Sequence, residues 1–426
     1  MADFPVLAAF GAVCAAWVCV IAIAKPRLVL YLLFAIVPTQ FLFVPVSGFF
    51  VSPADLLVLA SILGLMIRLA AGRGPACRAV HEHRFLWLML GAYVAGFAVL
   101  GLFSRTLVRV PLAIAVSVVA REQLRTRNHL RRAASAFVLA GVVDAAYGLY
   151  YVARGTPLHP TRFQGMETVN YTGMLIMTAA AIGLAQLAWV RRPWRLAGPG
   201  ALAGLAAATL SQMGFVAAIG AWLAVLRRVV TRTNKVLIAA AIVATLVAAV
   251  AVTPIRNRVL GRFANDVEGV DSRSSADIRW ILLQLSWDAF SESPVFGIGY
   301  FGFAEYSNRD PEIRRSTAGA GYPTHNSFVE VLVEGGAIAF VLFVLHWCQF
   351  ARLFPRAVRQ AARQRDPALA GALVGFPLVM ICALFANVLM VYSFWAVCGM
   401  ALACLRLVQY EQRLAAGPEQ SLSDAR

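Results

Sequence analysis

The residues with the clearest capacity for chemistry lie together in Tyr322-Pro323-Thr324-His325-Asn326-Ser327-Phe328, with Glu330 and Glu334 just beyond. An imidazole titrates near neutral pH and can accept a proton from a hydroxyl. Asn326, Glu330 and Glu334 are spaced i, i+4, i+8 and share one stripe of a helix. Two carboxylates on the face of an apolar helix are costly unless paired, which makes the stripe a candidate site. Ser327-Phe328-Val329-Glu330 also reads as a capping box, in which Glu330 finishes the helix N-terminus. A histidine at such a boundary can be solvated, buried or catalytic. Its neighbours favour the third.

Two arginines could serve the same site. Arg279 lies in Asp277–Phe290, where positions 278, 281, 282, 285 and 289 recur at helical spacing and Trp280, Leu283, Trp287 and Phe290 widen the apolar surface. A charge amid that surface needs a partner: Asp277, Glu330 or a substrate phosphate. Arg162 opens Arg162-Phe163-Gln164-Gly165, with Asn170 at the start of the next helix. One reading is an interfacial arginine and a helix cap. The other is a guanidinium fork for phosphate, a geometry suited to its paired donors. His81, His83 and His129 fall in basic loops, His346 near the inner end of its helix, and His159 outside without a helical anchor. Gly297-Ile298-Gly299-Tyr300-Phe301-Gly302 matches G-x-G-x-x-G formally, but no βαβ unit surrounds it, so it reads as a turn. There is no P-loop and no H-E-x-x-H motif.

The elements that must position these residues are set by hydropathy. The 426 residues are 60% hydrophobic and 14% charged, with mean hydropathy +0.72, and apolar runs long enough to span a bilayer recur throughout. Helices are expected at about 5–24, 28–45 (broken by Pro38), 54–71, 85–103, 107–120, 133–153, 169–190, 196–210, 213–230, 236–253, 326–350, 368–387 and 389–408. The fold expected is therefore an all-α polytopic membrane protein of about 12 (12–13) transmembrane helices, because backbone amides in lipid must be satisfied internally. The net charge of +17 is spread over clusters such as Arg121–Arg132, Arg191–Arg195, Arg227–Lys235 and Arg352–Arg365. They recur at every second connection, the positive-inside pattern, whereas a nucleic-acid partner would require one continuous basic face.

That pattern leaves two segments outside, 154–168 and the long 254–325, the latter a large periplasmic loop carrying amphipathic helices. The implied organisation is an N-terminal bundle over 1–253, the loop, C-terminal helices over 326–408 and a cytoplasmic tail over 409–426, disordered from Ala415. The first helix lacks the basic leader of a cleavable signal. The chain is expected in a bacterial inner membrane, with its site facing the periplasm. The seven cysteines lie in spans or a cytoplasmic loop, so none can build a disulfide or zinc site in the long loop.

Arg162-x-x-Gly165 with Asn170, Arg279 with Pro294-Val295-Phe296-Gly297-Ile298-Gly299, and His325-Asn326 with Glu334-Gly335-Gly336 together resemble the O-antigen ligase/polymerase family, over roughly Arg162 to Ala337. Relatives often place an arginine near Met213, where this chain has Thr209-Leu210-Ser211-Gln212-Met213-Gly214. The resemblance implies transfer of a glycan from undecaprenyl diphosphate to an acceptor at the periplasmic face; for a ligase, the acceptor is a sugar hydroxyl of lipid A-core. On that reading, His325 is the general base and Arg279 and Arg162 neutralise the diphosphate, with Glu330 or Glu334 orienting the imidazole. The anomeric centre inverts, and neither metal nor cofactor takes part. Arg105 and Arg109, also outside, are core-phosphate contacts or headgroup anchors. One dominant outside loop favours the ligase over a polymerase, whose acceptor is the growing glycan. A protein O-oligosaccharyltransferase would add a further soluble region. A transporter would need paired halves or mid-membrane ionisable groups, and Asp55 and Asp144 read as isolated.

Overall fold

The computed structural model describes residues 18–71, 82–100, 109–156, 164–189, 197–208, 236 and 275–423, apart from isolated positions 42, 43, 47, 48, 165, 167, 168 and 318. Among these, the chain is helical except for one small hairpin. The helices are α1 (Pro26–Ile36), α2 (Pro53–Ala70), α3 (Arg84–Leu100), α4 (Arg109–Gln123), α5 (Arg127–Ala153), α6 (Val169–Gln186) and α7 (Ala197–Ala208), then α8 (Ser275–Glu292), α9 (Gly302–Ser307) and α10 (Pro311–Ser316). The last four are α11 (Ser327–Ala351), α12 (Phe354–Gln364), α13 (Pro367–Cys382) and α14 (Tyr392–Ser423). The expected helices at 213–230 and 236–253 lie outside the described residues, apart from the single helical position 236.

Four stretches are long and apolar enough to cross a membrane: Pro53–Ala70, Arg127–Ala153, Ser327–Gln364 and Tyr392–Leu414, with shorter apolar helices at Pro26–Gln40, Arg84–Ala95 and Pro367–Cys382. Burial separates a protein-facing core from a lipid-facing surface. Along α14, Phe394, Trp395, Val397 and Cys398 are fully buried, while α2 and α5 expose Leu56, Leu59, Leu63, Met66, Leu139 and Leu149. Water would not tolerate so many large apolar side chains on straight helices, but lipid does. This is a membrane protein.

Three expectations need correcting. The run 28–45 is not one helix: α1 stops at Ile36, a 3-10 turn covers Val37–Phe41, and strands β1 (Val44–Val46) and β2 (Phe49–Val51) pair antiparallel. Pro38 and Pro45 remove the amide donors a continuing helix would need. The tail is not disordered at Ala415, since α14 runs on through Ser423. The basic stretch after α11 is not a plain loop either; it folds into α12, which buries Ala357, Val358 and Ala361.

The two ends of the bundle differ in chemistry. At one end, buried Arg121 pairs with Glu82 and, at 2.6 Å, with Glu122, while Arg127 reaches Glu411 at 2.7 Å and Asp366 at 3.0 Å. The other end gathers the N-termini of α2, α4, α11 and α14. There Arg109 and the Tyr392 hydroxyl both reach the Asp55 carboxylate, and Gln40 accepts from the Tyr392 amide at 2.7 Å. His325 lies at this second end.

Candidate functional site

His325 sits in the last turn before α11 with φ +53°, in the left-handed region. That conformation is uncommon for a residue with a Cβ and persists where the surroundings enforce it. The surroundings here are explicit. Thr324 Oγ1 donates to Asn326 O at 3.0 Å, and Asn387 Nδ2 donates to Thr324 Oγ1 at 3.1 Å. The Asn387 carbonyl in turn accepts from the Tyr171 hydroxyl at 2.7 Å. Asn387 belongs to the turn between α13 and α14, and Ser327 docks that turn onto α11. Ser327 N donates to Ala383 O, its hydroxyl donates to Ala386 O, and Val388 N donates back to that hydroxyl, each at 2.8 Å.

The capping reading shifts by one residue. Asn326, not Ser327, caps α11: its Oδ1 accepts from Phe328 N at 2.9 Å and Val329 N at 3.2 Å. Ser327 is engaged across the bundle instead, so Glu330 is not part of a capping box. Both carboxylates are buried, each 4% exposed. Glu330 hydrogen-bonds Asn387, and Glu334 Oε1 accepts from Phe303 N at 3.4 Å.

Neither carboxylate bonds the imidazole, so the expectation that one of them orients it directly does not hold. The positive φ turns His325 off the 326–330–334 stripe, towards Tyr322, 5.9 Å away between ring centroids, and towards Arg279. Glu330 reaches the histidine's turn only through Asn387 and Thr324. Asn170 begins α6, next to Tyr171, whose hydroxyl holds Asn387; Arg162 lies outside the described residues.

Arg279 is half-buried on α8. Burial, and then the Arg279 charge, push the His325 pKa down from 6.5 to about 4. Both causes penalise the charged ring. At neutral pH the imidazole is therefore neutral, with a lone pair available for a proton. The apolar side of α8 divides as its periodicity implies: Leu282 and Ala289 are fully buried against Phe303, Ile313 and Val333, and Trp280 and Trp287 project outwards. Between them and α11 lies a groove of about 670 Å³, lined by Trp280, Leu283, Trp287, Val329 and Val333 among others.

The glycine-rich segment does turn the chain after α8, and it has a second task. Helix α11 is broken at Gly336 (φ +70°, ψ −176°). Into this break docks Pro294–Gly299: Ile298 N donates to Val333 O at 2.9 Å, Gly299 N to Glu334 O at 3.1 Å and Ala337 N to Pro294 O at 2.8 Å. The approach is so close that a Cβ on Gly297 would fall 2.4 Å from the Glu334 carbonyl, and one on Gly336 2.2 Å from Val295 O. Gly297 also has φ +72°. Only glycine fits both demands. The docked segment seals Glu334 inside and carries Tyr300, whose ring meets Tyr93 edge-on at 5.6 Å. Burial, with Glu330 and Glu334 nearby, holds the Tyr300 phenol well above its usual pKa, so it stays neutral.

Two further readings change. Asp55 and Asp144 are not isolated: Asp55 binds Tyr392, Arg109 and the Ser52 amide, and Asp144 Oδ1 accepts from Met166 N at 2.6 Å. Arg109 is thereby an ion-pair member rather than a free anchor. Asn387, Thr324 and Tyr171 were not singled out in the sequence. An Asn in an apolar stretch, as Asn387 is, was the available signal. Among the described residues no three His, Cys, Asp or Glu side chains converge as a metal site requires.

Residues 200–344 match the family model described as O-antigen ligase, so the chain carries a domain of that family. The match takes in α8, the docked glycine segment, His325 and the broken part of α11. No curated protein matches the chain.

Proposed function

We propose that this chain is an O-antigen ligase of the bacterial inner membrane, transferring a glycan from undecaprenyl diphosphate to a sugar hydroxyl of lipid A-core at the periplasmic face. The observation that carries this reading is the neutral His325 beside Arg279, on a turn held by Thr324 and Asn387. It lies at the end of the bundle remote from the Arg121–Arg127 ion pairs, which fits a site outside and a basic face inside.

The acceptor hydroxyl attacks the anomeric carbon, the bond to the diphosphate oxygen breaks, and His325 takes the hydroxyl proton. Arg279, with Arg162, neutralises the departing diphosphate, in a setting where low dielectric strengthens the interaction. One displacement inverts the anomeric centre. Glu330 contributes through Asn387, which fixes the turn beneath His325. Glu334 anchors the α9 N-terminus and the docked segment. The chemistry asks for no cofactor.

Deletion of the gene in its host, followed by electrophoresis of lipopolysaccharide and of carrier-linked glycans, tests the reading. A ligase leaves core without O-antigen and full-length chains stranded on the carrier. A polymerase, the same chemistry with a growing glycan as acceptor, leaves core bearing a single repeat. Unchanged profiles refute both. Complementation with His325→Ala or Arg279→Ala should fail although the proteins reach the membrane.

A further inference from the structure

A second charged feature lies at the opposite end of the bundle and is independent of the proposed reaction. Helix α12 carries Arg352, Arg356, Arg359 and Arg363 at intervals of four, three and four, just before and along one face, all exposed. Its other face buries Ala357, Val358 and Ala361. Such a helix is fixed to the bundle by its apolar side and holds its guanidiniums outward as a set. Between α12 and α14 lies a pocket of about 570 Å³ lined by Arg356, Arg359, Gln360, Arg363, Gln364, Glu411 and Gln412.

The charge in that pocket is unbalanced. Its single carboxylate, Glu411, already accepts from Arg127 at 2.7 Å and from Gln360 at 2.9 Å. Among the described residues no carboxylate pairs with Arg356, Arg359 or Arg363. Three guanidiniums converging on a cavity without counter-charge suit an anion with several oxygens. The pocket is also next to lipid: Tyr410 and Leu414, which flank Glu411 and Gln412 on α14, are 60% and 66% exposed. An exposed tyrosine beside an exposed leucine is characteristic of the headgroup level.

We propose that this pocket binds the phosphate of an anionic glycerophospholipid, anchoring α12 in the membrane interface. Arg356, Arg359 and Arg363 bind the phosphate oxygens, and Gln360 and Gln412 remain available to headgroup hydroxyls. A positional anion site of this kind goes beyond the general attraction of basic loops to an anionic leaflet, because it selects lipid by headgroup and resists exchange.

The test uses the full chain in detergent, equilibrated with equal amounts of phosphatidylglycerol and phosphatidylcholine, with retained lipid measured by native mass spectrometry. The wild type should retain phosphatidylglycerol preferentially. The triple variant Arg356→Gln, Arg359→Gln, Arg363→Gln should lose that preference by on the order of a hundred-fold, and Arg359→Gln alone by about five-fold. Soluble glycerol phosphate at millimolar concentration should not displace the lipid. Absence of preference in the wild type overturns the proposal without reference to any variant. Full preference in a folded triple variant overturns it too. Displacement by glycerol phosphate at equal concentration would reassign the pocket to a soluble anion.

Discussion

The depressed titration of His325 makes the sharpest prediction. Moving an imidazole from 6.5 to about 4 corresponds to roughly 3.4 kcal/mol in favour of the neutral ring. At pH 5.5 an ordinary histidine would be about nine-tenths protonated, whereas His325 would be only a few per cent so. Because kcat/KM reports the free enzyme, its acid limb should fall near pH 4. The rate should therefore stay nearly flat from pH 8 down to about 5.5. Arg279→Gln removes the second of the two causes, so the limb should move up without reaching 6.5, since burial remains.

Bound diphosphate offsets the Arg279 charge, so the limb in kcat, which reports the complex, should lie above that in kcat/KM. The stability effect has a definite sign. Between about pH 4 and 6.5 the unfolded chain holds a proton here that the folded chain does not, so this group destabilises the fold as pH falls through that window. The assay is glycan transfer from a synthetic carrier-linked donor to purified core acceptor, with the protein in nanodiscs buffered from pH 3.5 to 8. A kcat/KM limb near 6.5 in the wild type, or a limb that Arg279→Gln leaves in place, refutes the argument.

Three other perturbations follow from the geometry. Asn387→Ala removes the donor to Thr324 and should lower kcat about ten-fold or more while KM and membrane abundance hold, since mispositioning a base costs rate before binding; a change in KM alone would contradict it. Ser327→Ala leaves Ala386 O and Val388 N without their buried partner and should cost about 1–3 kcal/mol, read as a lowered thermal midpoint by tryptophan fluorescence. Gly336→Ala places a methyl group against Val295 O and should release the docked segment, seen as new protease cleavage at 294–301. Protection equal to wild type would show that the break in α11 does not need glycine.

Hydropathy and charge patterning already separate a membrane bundle from every soluble class, because length and apolarity of a span are local properties of the chain. The periodicity of α8 and the boundary before α11 were legible for the same reason, as was the choice of His325, Arg279, Glu330 and Glu334 as candidates. What each of them touches was not. The capping box over Ser327–Glu330 fits the sequence rule well, yet Ser327 is claimed by carbonyls of Ala383 and Ala386, some sixty residues away. Asn387 lacks any motif, and its bond to Thr324 spans 63 positions. The glycines at 297 and 336 could be read singly as turns, but their shared purpose appears only when two backbones meet. Residue chemistry thus nominated the site, and long-range hydrogen bonds, which no local pattern encodes, decided which nominee faces which.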